Sequence, residues 1–262
     1  MNTTRTYDSN LAMGLGLIDE TKSLLRIWEP GLSANDLYDR ALTSGLFPDV
    51  TAYRLNNIVL RCFAGRYLRG NPPPAVAMRR YLKSASSSEF NQLAFLHTCR
   101  ANRILHDFVR LVYWPSYAAG MKVLPKTIPE EFIRRAIDAG MTPSRWAEGQ
   151  IERVGRYLTG CCSDFGLLSP RSTTGRSLKD PRPEPTTIAY LAHDLHFSGI
   201  GDNALLTHED WQLFGLARED VLEEIKRLSL KGLLIVQAAG DVIRISWKQQ
   251  DMEALCDVLA QG

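Results

Sequence analysis

Apolar residues recur at helical spacing through the first part of the chain. The stretch from Leu11 to Trp28 is apolar with interspersed charge, which predicts a helix. Ser33, with Asp36 three residues later, resembles a capping box and predicts the start of a second, short helix. Residues 45–48 (GLFP) form a turn, and a further helix is predicted over 51–68. Two helices around a glycine-containing turn predict a helix-turn-helix.

The middle of the chain has the same period. Residues 90–113 place their apolar side chains on one face at about 100° per residue, which predicts one long amphipathic helix. Two further helices are predicted over 129–140 and from 144 to about 160, the first because Pro129 and two following acids are typical of a helix start. These helices together predict a helical bundle.

The period changes in the last part of the chain. Helices are predicted over 187–197, 207–214 and 218–231. Two runs rich in β-branched residues, 233–236 and 242–247, flank a turn at 238–241 and predict a hairpin. Three helices followed by a hairpin predict a winged helix-turn-helix.

Prolines divide these parts. Three consecutive prolines at 72–74 end the first segment, and the run 169–185 is rich in proline, serine and threonine. The predicted organisation is an N-terminal helix-turn-helix domain (1–71), a central helical bundle (72–168), a linker (169–185) and a C-terminal winged helix-turn-helix domain (186–262). The predicted fold class is mainly α, with the small β-hairpin as the wing.

Composition narrows the class of protein. Of the 262 residues, 45% are hydrophobic and 23% are charged, which is typical of a globular chain. The five cysteines are odd in number and form no CxxC pair, so neither a disulfide framework nor a zinc ribbon is predicted. No apolar run is long enough for a secretory signal or a membrane span. We therefore expect a cytoplasmic protein with no membrane partner.

The net charge of +2 conceals a strong local bias. Residues 1–49 carry a net charge of −3, whereas residues 50–88 carry seven bases and no acid. Such a basic stretch is typical of phosphate binding, although ion pairs to the acidic N-terminal residues would explain it too. The candidate nucleic-acid-binding residues here are Arg54, Asn57, Arg61, Arg66, Arg69, Arg79, Arg80 and Lys83. Arg54, Asn57 and Arg61 share a stripe on the second helix of the helix-turn-helix, which is the helix that enters the major groove in such motifs.

The helix over 218–231 has a different charge pattern. Its exposed face carries four acids and three bases, and two of the acids lie in the first turn, where a reading helix meets DNA. We expect DNA contact here only through Lys226, Arg227, Lys231 and the wing. Protein binding by this domain is an equal alternative.

The chain carries no recognised catalytic motif. A GxSxG elbow, a Walker A loop and an HExxH pair are all missing from the sequence. His193, His196 and His208 could approach one another, but a core histidine beside a surface one is the simpler interpretation. We therefore predict no enzyme activity, no catalytic residue, no metal site and no cofactor.

Several stretches resemble a known family. They are the opening residues 14–20 (GLGLIDE), the helix-turn-helix from Leu32 to its end at 61–68 (RCFAGRYL), and residues 206–216 (LTHEDWQLFGL) before the hairpin. Together they resemble BrxA, the small component of BREX bacteriophage-exclusion systems. The resemblance covers nearly the whole chain, and its motifs are structural rather than catalytic.

The resemblance implies a non-enzymatic, mainly helical protein that binds double-stranded DNA within a phage-defence operon. It also implies companions, namely the BREX methyltransferase, an alkaline-phosphatase-like protein and a large ATPase. Because the family is sometimes likened to RNA-binding antitermination factors, RNA stays open as a ligand. An adaptor that binds another defence subunit through the winged helix is a further alternative.

Overall fold

The structure is a computed structural model that describes residues 6–8, 11, 15–172, 175–239 and 242–261. It is mainly helical, as the sequence predicts. The elements up to residue 181 are α1 (Ile18–Ile27), α2 (Ala34–Thr43), α3 (Ala52–Asn56), a first π-helix (Asn57–Phe63), α4 (Ala64–Tyr67), α5 (Pro74–Tyr81), α6 (Ser87–Ala101), α7 (Arg103–Phe108), a second π-helix (Val109–Tyr113), α8 (Trp114–Ala118), β1 (Val123–Leu124), α9 (Thr127–Asp138), α10 (Glu148–Asp164) and β2 (Arg176–Ser177). The later elements are α11 (Pro185–Phe197), α12 (Asp202–Leu206), a 3₁₀ helix (Glu209–Phe214), α13 (Arg218–Leu230), β3 (Leu234–Ala239), β4 (Val242–Trp247) and α14 (Met252–Leu259).

The chain forms two compact units. The first unit comprises residues 1–74 and 94–181, and the second comprises 75–93 and 182–262. Contacts therefore assign the stretch 75–93 to the C-terminal elements and unite the N-terminal helices with α7 to α10. The division into 1–71, 72–168, the linker 169–185 and 186–262 stays a prediction.

The first unit begins with a helix that starts later than predicted. Instead of running from Leu11, α1 starts at Ile18, because Leu17 adopts a left-handed backbone conformation with φ of 49° that a right-handed helix cannot include. The side chains of Leu24, Leu25 and Trp28 are buried, and the Trp28 indole donates to the carbonyl of Leu32. This face fixes α1 against the following helices.

The predicted helix over 90–113 is interrupted. Asn102 lies between α6 and α7 with an extended backbone, and its side-chain amide donates to the Thr98 carbonyl at 2.8 Å. Asparagine competes with helical hydrogen bonding in this way, which is why the continuous helix predicted from periodicity is wrong. Beyond α7 the chain widens into the second π-helix, whose Val109 and Tyr113 are buried.

The stretch predicted as a linker, 169–185, contains local structure. Its β2 pairs antiparallel with β1, so that Val123 lies opposite Ser177. The Tyr113 hydroxyl donates to the carbonyl of Leu167, just before this stretch, and to that of Lys179 within it. Pro185 then starts α11. These contacts attach the segment to the first unit up to its last residues.

The second unit packs α11 against α13 and α14. Trp211 is buried, and its indole donates to the Leu205 carbonyl at 2.7 Å. The predicted hairpin is confirmed, with Leu234 opposite Trp247 and Ala239 opposite Val242. Residues 240 and 241 of the predicted turn lie outside the described residues. Helix α12 covers the β4 edge of the hairpin, because the side chains of Asp202 and Asn203 accept hydrogen bonds from backbone N–H groups of β4.

Among the described residues, no helix combines the length and the apolar character needed to cross a lipid bilayer.

Candidate nucleic-acid interface

Local hydrogen bonds define the two helices that were predicted as a helix-turn-helix. Ser33 accepts from the Asp36 backbone at 3.2 Å at the start of α2, so the predicted cap is confirmed. Thr51 accepts from the Arg54 backbone at 3.2 Å and starts α3 in the same way. Between them Gly45 has a φ of +71°, which suits glycine. The Tyr38 hydroxyl donates to the Ala52 carbonyl at 3.3 Å and links the two helices.

The second of these helices continues from α3 through the first π-helix to α4, and we call residues 52–67 the α3–α4 helix. The helical spacing places Leu55, Val59 and Phe63 opposite the polar stripe, and all three are buried. Arg54 and Arg61 are exposed and Asn57 is half-buried, so the predicted polar stripe faces outward along most of its length. The π-helix was not predicted. π-Helical turns are rare and are frequent at functional sites.

Three other bases of the 50–88 stretch also reach solvent. Arg69 and Lys83 are exposed and Arg79 is partly exposed. Within the described part of the chain, Arg61, Arg69, Arg79 and Lys83 form no ion pair with a carboxylate. The acidic N-terminal residues therefore do not neutralise these side chains, contrary to the alternative explanation of the basic stretch.

Arg66 is buried and bonds to the backbone near the start of α1. Its side chain is 6% exposed, and its guanidinium donates to the carbonyls of Leu15 at 2.8 Å and Gly16 at 3.3 Å. These carbonyls directly precede Leu17, the residue in the left-handed conformation. Arg66 thus holds the entry to α1 and is not accessible to a ligand in the way the sequence prediction assumed.

Arg80 is neutralised within the second unit. Its guanidinium forms ion pairs with Glu253 and with Asp257 of α14, the latter at 2.6 Å. Arg79, Arg80 and Lys83 all belong to the second unit, whereas Arg54, Arg61, Arg66 and Arg69 belong to the first. The basic stretch is continuous in sequence but is divided between two compact units.

The bases of α13 are paired with acids of the same helix. Lys226 lies 2.7 Å from Glu223, and Arg227 lies 2.5 Å from Glu224. The hydrogen bond from Lys226 and its charge lower the pKa of the Glu223 carboxyl. Lys231, which follows α13, is exposed and makes no ion pair with a described residue. Of the three predicted contacts here, it has the least competition for a phosphate.

Sequence reasoning missed one aromatic residue. The sequence offers Tyr53, Tyr67 and Tyr81 as rings that could stack on bases, and predicts that all three are partly buried. Tyr67 and Tyr81 are indeed buried, but Tyr53 is 80% exposed at the start of the α3–α4 helix. Its position outside the buried stripe of Leu55, Val59 and Phe63 was the signal that could have identified it.

His193, His196 and the five cysteines contribute to packing. His193 is fully buried, with Nδ1 2.8 Å from the Ala189 carbonyl, and burial lowers its pKa. His196 stacks on Trp247 with ring centroids 4.3 Å apart. All five cysteines are buried, and burial raises the pKa of Cys161 to about 12, far from a reactive thiolate. The described residues hold no group of three or more His, Cys, Asp or Glu side chains that fits a metal ion.

Comparisons with known proteins place this fold in a family. No curated protein matches the chain. Among solved structures, the chain is similar to the crystal structure of an uncharacterized protein from Magnetospirillum magneticum, with a TM-score of 0.61 and 14% sequence identity, over 80% of this chain and 98% of that one. At this identity the likeness concerns the fold alone.

The family model named BrxA matches residues 5–194, which include the α3–α4 helix and extend into α11. This family suggests a component of a BREX phage-defence system, as the resemblance in sequence implied. The match covers more than half of the chain, and the chain therefore belongs to the BrxA family.

Proposed function

We propose that this protein is a non-catalytic, cytoplasmic, double-stranded-DNA-binding component of a BREX-type phage-defence system. In this proposal α2, the turn after it and the α3–α4 helix form a helix-turn-helix, and the α3–α4 helix meets the DNA. The helical fold and membership of the BrxA family support the proposal.

One observation carries it. The outer face of the α3–α4 helix and the residues after it present Arg54, Arg61 and Arg69 to solvent in a stretch without acids. Arg61 and Arg69 form no ion pair with a described carboxylate. Arginine binds phosphate oxygens and guanine edges through its planar fork of donors, and each phosphate contact releases condensed counterions. Exposed Tyr53, at the N-terminal end that contacts bases in such motifs, adds an aromatic ring to this face.

The second unit supplies a weaker DNA contact in this proposal. We interpret α11, α12, the 3₁₀ helix, α13 and the β3–β4 hairpin as a winged helix-turn-helix. Arg79, Lys83 and Lys231 are the bases of this unit that are not paired with a described carboxylate among the predicted contacts. Because Glu223 and Glu224 already neutralise Lys226 and Arg227, α13 attracts phosphate less strongly than the α3–α4 helix does.

Salt dependence tests the proposal. Fluorescence anisotropy of a labelled duplex, titrated with the full-length protein across a salt series, gives the association constant at each salt concentration. If Arg54, Arg61 and Arg69 each contact a phosphate, the logarithm of this constant should fall with log salt with a slope of about −2.7. Two further contacts from Arg79 and Lys83 would give a slope of about −4.5. A slope near zero contradicts the proposal. Tighter binding of an A-form or single-stranded RNA competitor would transfer the assignment to RNA.

A second candidate function is protein binding by the second unit. Leu230, at the end of α13, is 89% exposed, and Ile235 and Val242 of the hairpin are 50% and 63% exposed. Exposed apolar side chains beside internally paired charges are typical of a protein interface. Full-length protein with Leu230→Asp and Ile235→Asp should then lose capture of companion BREX proteins and retain DNA binding. Unchanged capture would remove this candidate.

A further inference from the structure

The first unit contains a cavity of about 340 Å³ that shares no lining residue with α2 or the α3–α4 helix. It lies where the start of α9, one side of α10 and the β1–β2 pair meet. Leu124, Pro125 and Pro129 form its apolar wall. Its volume falls near the lower limit of about 300 Å³ for pockets that enclose small organic ligands.

Basic side chains predominate around the cavity. Lys126, Arg156, Arg171 and Arg176 line it, and none of them forms an ion pair with a carboxylate in the described part of the chain. Arg176 donates through one Nη to the Ser169 carbonyl at 3.0 Å, which fixes its guanidinium while leaving other donors available. Four bases against two acids, Glu130 and Glu152, give the lining a net positive charge.

Two carboxylates are also present. Glu130 lies 3.5 Å from Arg134, which partly compensates its charge. Glu152 lines the cavity and has no basic partner among the described residues. A carboxylate repels a bare phosphate but accepts hydrogen bonds from a sugar hydroxyl or a base amino group. The lining therefore combines basic side chains that can bind an anion with a carboxylate, Glu152, that can accept hydrogen bonds from neutral donors.

Two glycines shape this cavity. A Cβ on Gly155 would lie 3.6 Å from the side chains of Pro129 and Glu130, so glycine here leaves the α10 side of the cavity open. Gly175 has a φ of +130°, and a Cβ there would come within 2.9 Å of the Leu124 carbonyl. Glycine thus allows the chain that carries Arg176 to lie directly against β1.

We infer that this cavity is a nucleotide-binding site. Arg156, Arg171 and Arg176 bind the phosphates, and Glu152 accepts from the ribose or the base. The cavity is larger than inorganic phosphate requires, and phosphate has no use for an apolar wall. Both features favour a nucleoside attached to the phosphate. A concave site of this size also fits one nucleotide better than the extended backbone of a duplex.

Isothermal titration of the full-length protein with ATP, ADP, AMP and pyrophosphate tests the inference. We expect ADP and ATP to bind more tightly than pyrophosphate by at least tenfold. Arg156→Ala and Arg171→Ala should each weaken ADP binding about tenfold, and both residues are exposed, so the fold should persist. Arg153→Ala is the matched control, because Arg153 lies exposed on the same helix but does not line the cavity.

Each opposing result has a defined meaning. If none of the nucleotides binds, the inference is wrong. If pyrophosphate binds as tightly as ADP, the cavity is an anion site without nucleoside recognition, and the inference is also wrong. If a duplex displaces ADP and Arg156→Ala weakens duplex binding, the cavity belongs to a DNA surface instead. The first two results leave the salt-dependent binding proposed for Arg61 unchanged, and the third would add the cavity to that DNA surface, so the two ideas fail separately.

Discussion

The α3–α4 helix of the first unit and α13 of the second unit differ in how their basic side chains are paired. The α3–α4 helix contains no acid, and its exposed Arg61 is not paired with a described carboxylate. In α13 each of the bases Lys226 and Arg227 lies within hydrogen-bonding distance of an acid three residues earlier. The two helices therefore differ in the basic charge that is available to a ligand.

This difference shows that counting bases along a sequence is a poor measure of a phosphate-binding surface. Ion pairs between exposed side chains contribute only about 0–1 kcal/mol to stability, so the pairs of α13 have little effect on folding. They do cancel the long-range field that attracts a polyanion. The family match, over residues 5–194, includes the α3–α4 helix and ends before α13.

The largest effect we expect is on DNA affinity. Replacing Arg54 and Arg61 together by alanine should raise the Kd for a duplex about 30-fold or more, because base and phosphate contacts by arginine contribute about 1–3 kcal/mol each. Replacing Lys226 and Arg227 by alanine should change the Kd less than about threefold. Fluorescence anisotropy at one fixed salt concentration measures both.

Comparing the two double variants shows which of the two helices makes the principal DNA contact. A larger loss for the α13 variant than for the α3–α4 variant would locate the principal DNA contact in the second unit. Equal losses would mean that pairing with Glu223 and Glu224 does not reduce phosphate binding by Lys226 and Arg227. Circular dichroism confirms in each case that the helices are intact.

A smaller effect separates structural from binding arginines within the first unit. Arg66→Ala should lower the free energy of unfolding by about 1.5 kcal/mol, because it leaves the Leu15 and Gly16 carbonyls without their charged donor. Arg69→Ala should change it by less than about 0.5 kcal/mol, because Arg69 is exposed. Urea unfolding monitored by fluorescence measures both.

DNA binding by the same two variants gives the complementary result. Arg69→Ala should weaken binding, whereas Arg66→Ala should bind normally under conditions in which it is folded. Normal stability of Arg66→Ala would show that the contacts near Leu17 contribute little, and Arg66 would then return to the set of candidate ligand-binding residues.

Sequence patterns predicted the elements that depend on local chemistry. The cap at Ser33, the helix start near Thr51 and the β-branched hairpin follow from short-range preferences, and all are present. The break at Asn102 was missed because its side chain competes for one particular carbonyl, which periodicity does not reveal. The π-helices were missed as well, because they preserve the buried positions while changing the hydrogen bonding.

The candidate site was predicted less completely. The burial of Arg66 could have been recognised, because Arg66 follows Val59 and Phe63 at the spacing of the buried stripe, but its charge argued for exposure. The partners of Arg80 could not be recognised, since Glu253 and Asp257 lie more than 170 residues away and meet it only through the fold of the second unit. Which bases remain available is therefore a tertiary property.

The smallest effect we expect contrasts the buried titratable groups of the two units. In the second unit, burial lowers the pKa of His193, and burial likewise lowers that of His196. The unfolded chain binds these protons at a pH of about 6.5, so the stability of this unit should fall as the pH decreases below that value. The loss is at most about 1.4 kcal/mol per pH unit for each histidine.

In the first unit, the buried carboxylate of Asp107 behaves differently. Burial opposes its ionisation, but hydrogen bonds from His106 and Tyr7 and the charge of Arg103 lower its pKa overall. Its contribution to stability is present above the unfolded pKa of about 3.9 and is lost only as the pH falls below that value. Between pH 7 and 5.5, therefore, Asp107 stays ionised and keeps its contribution to stability, whereas the lowered pKa of His193 reduces the stability of the second unit as the pH falls.

Hydrogen exchange, corrected for intrinsic rates, should show α11 losing protection over this range and α7 retaining it. His193→Gln should reduce the change in α11, and equal losses in α7 and α11 would refute the contrast between the units.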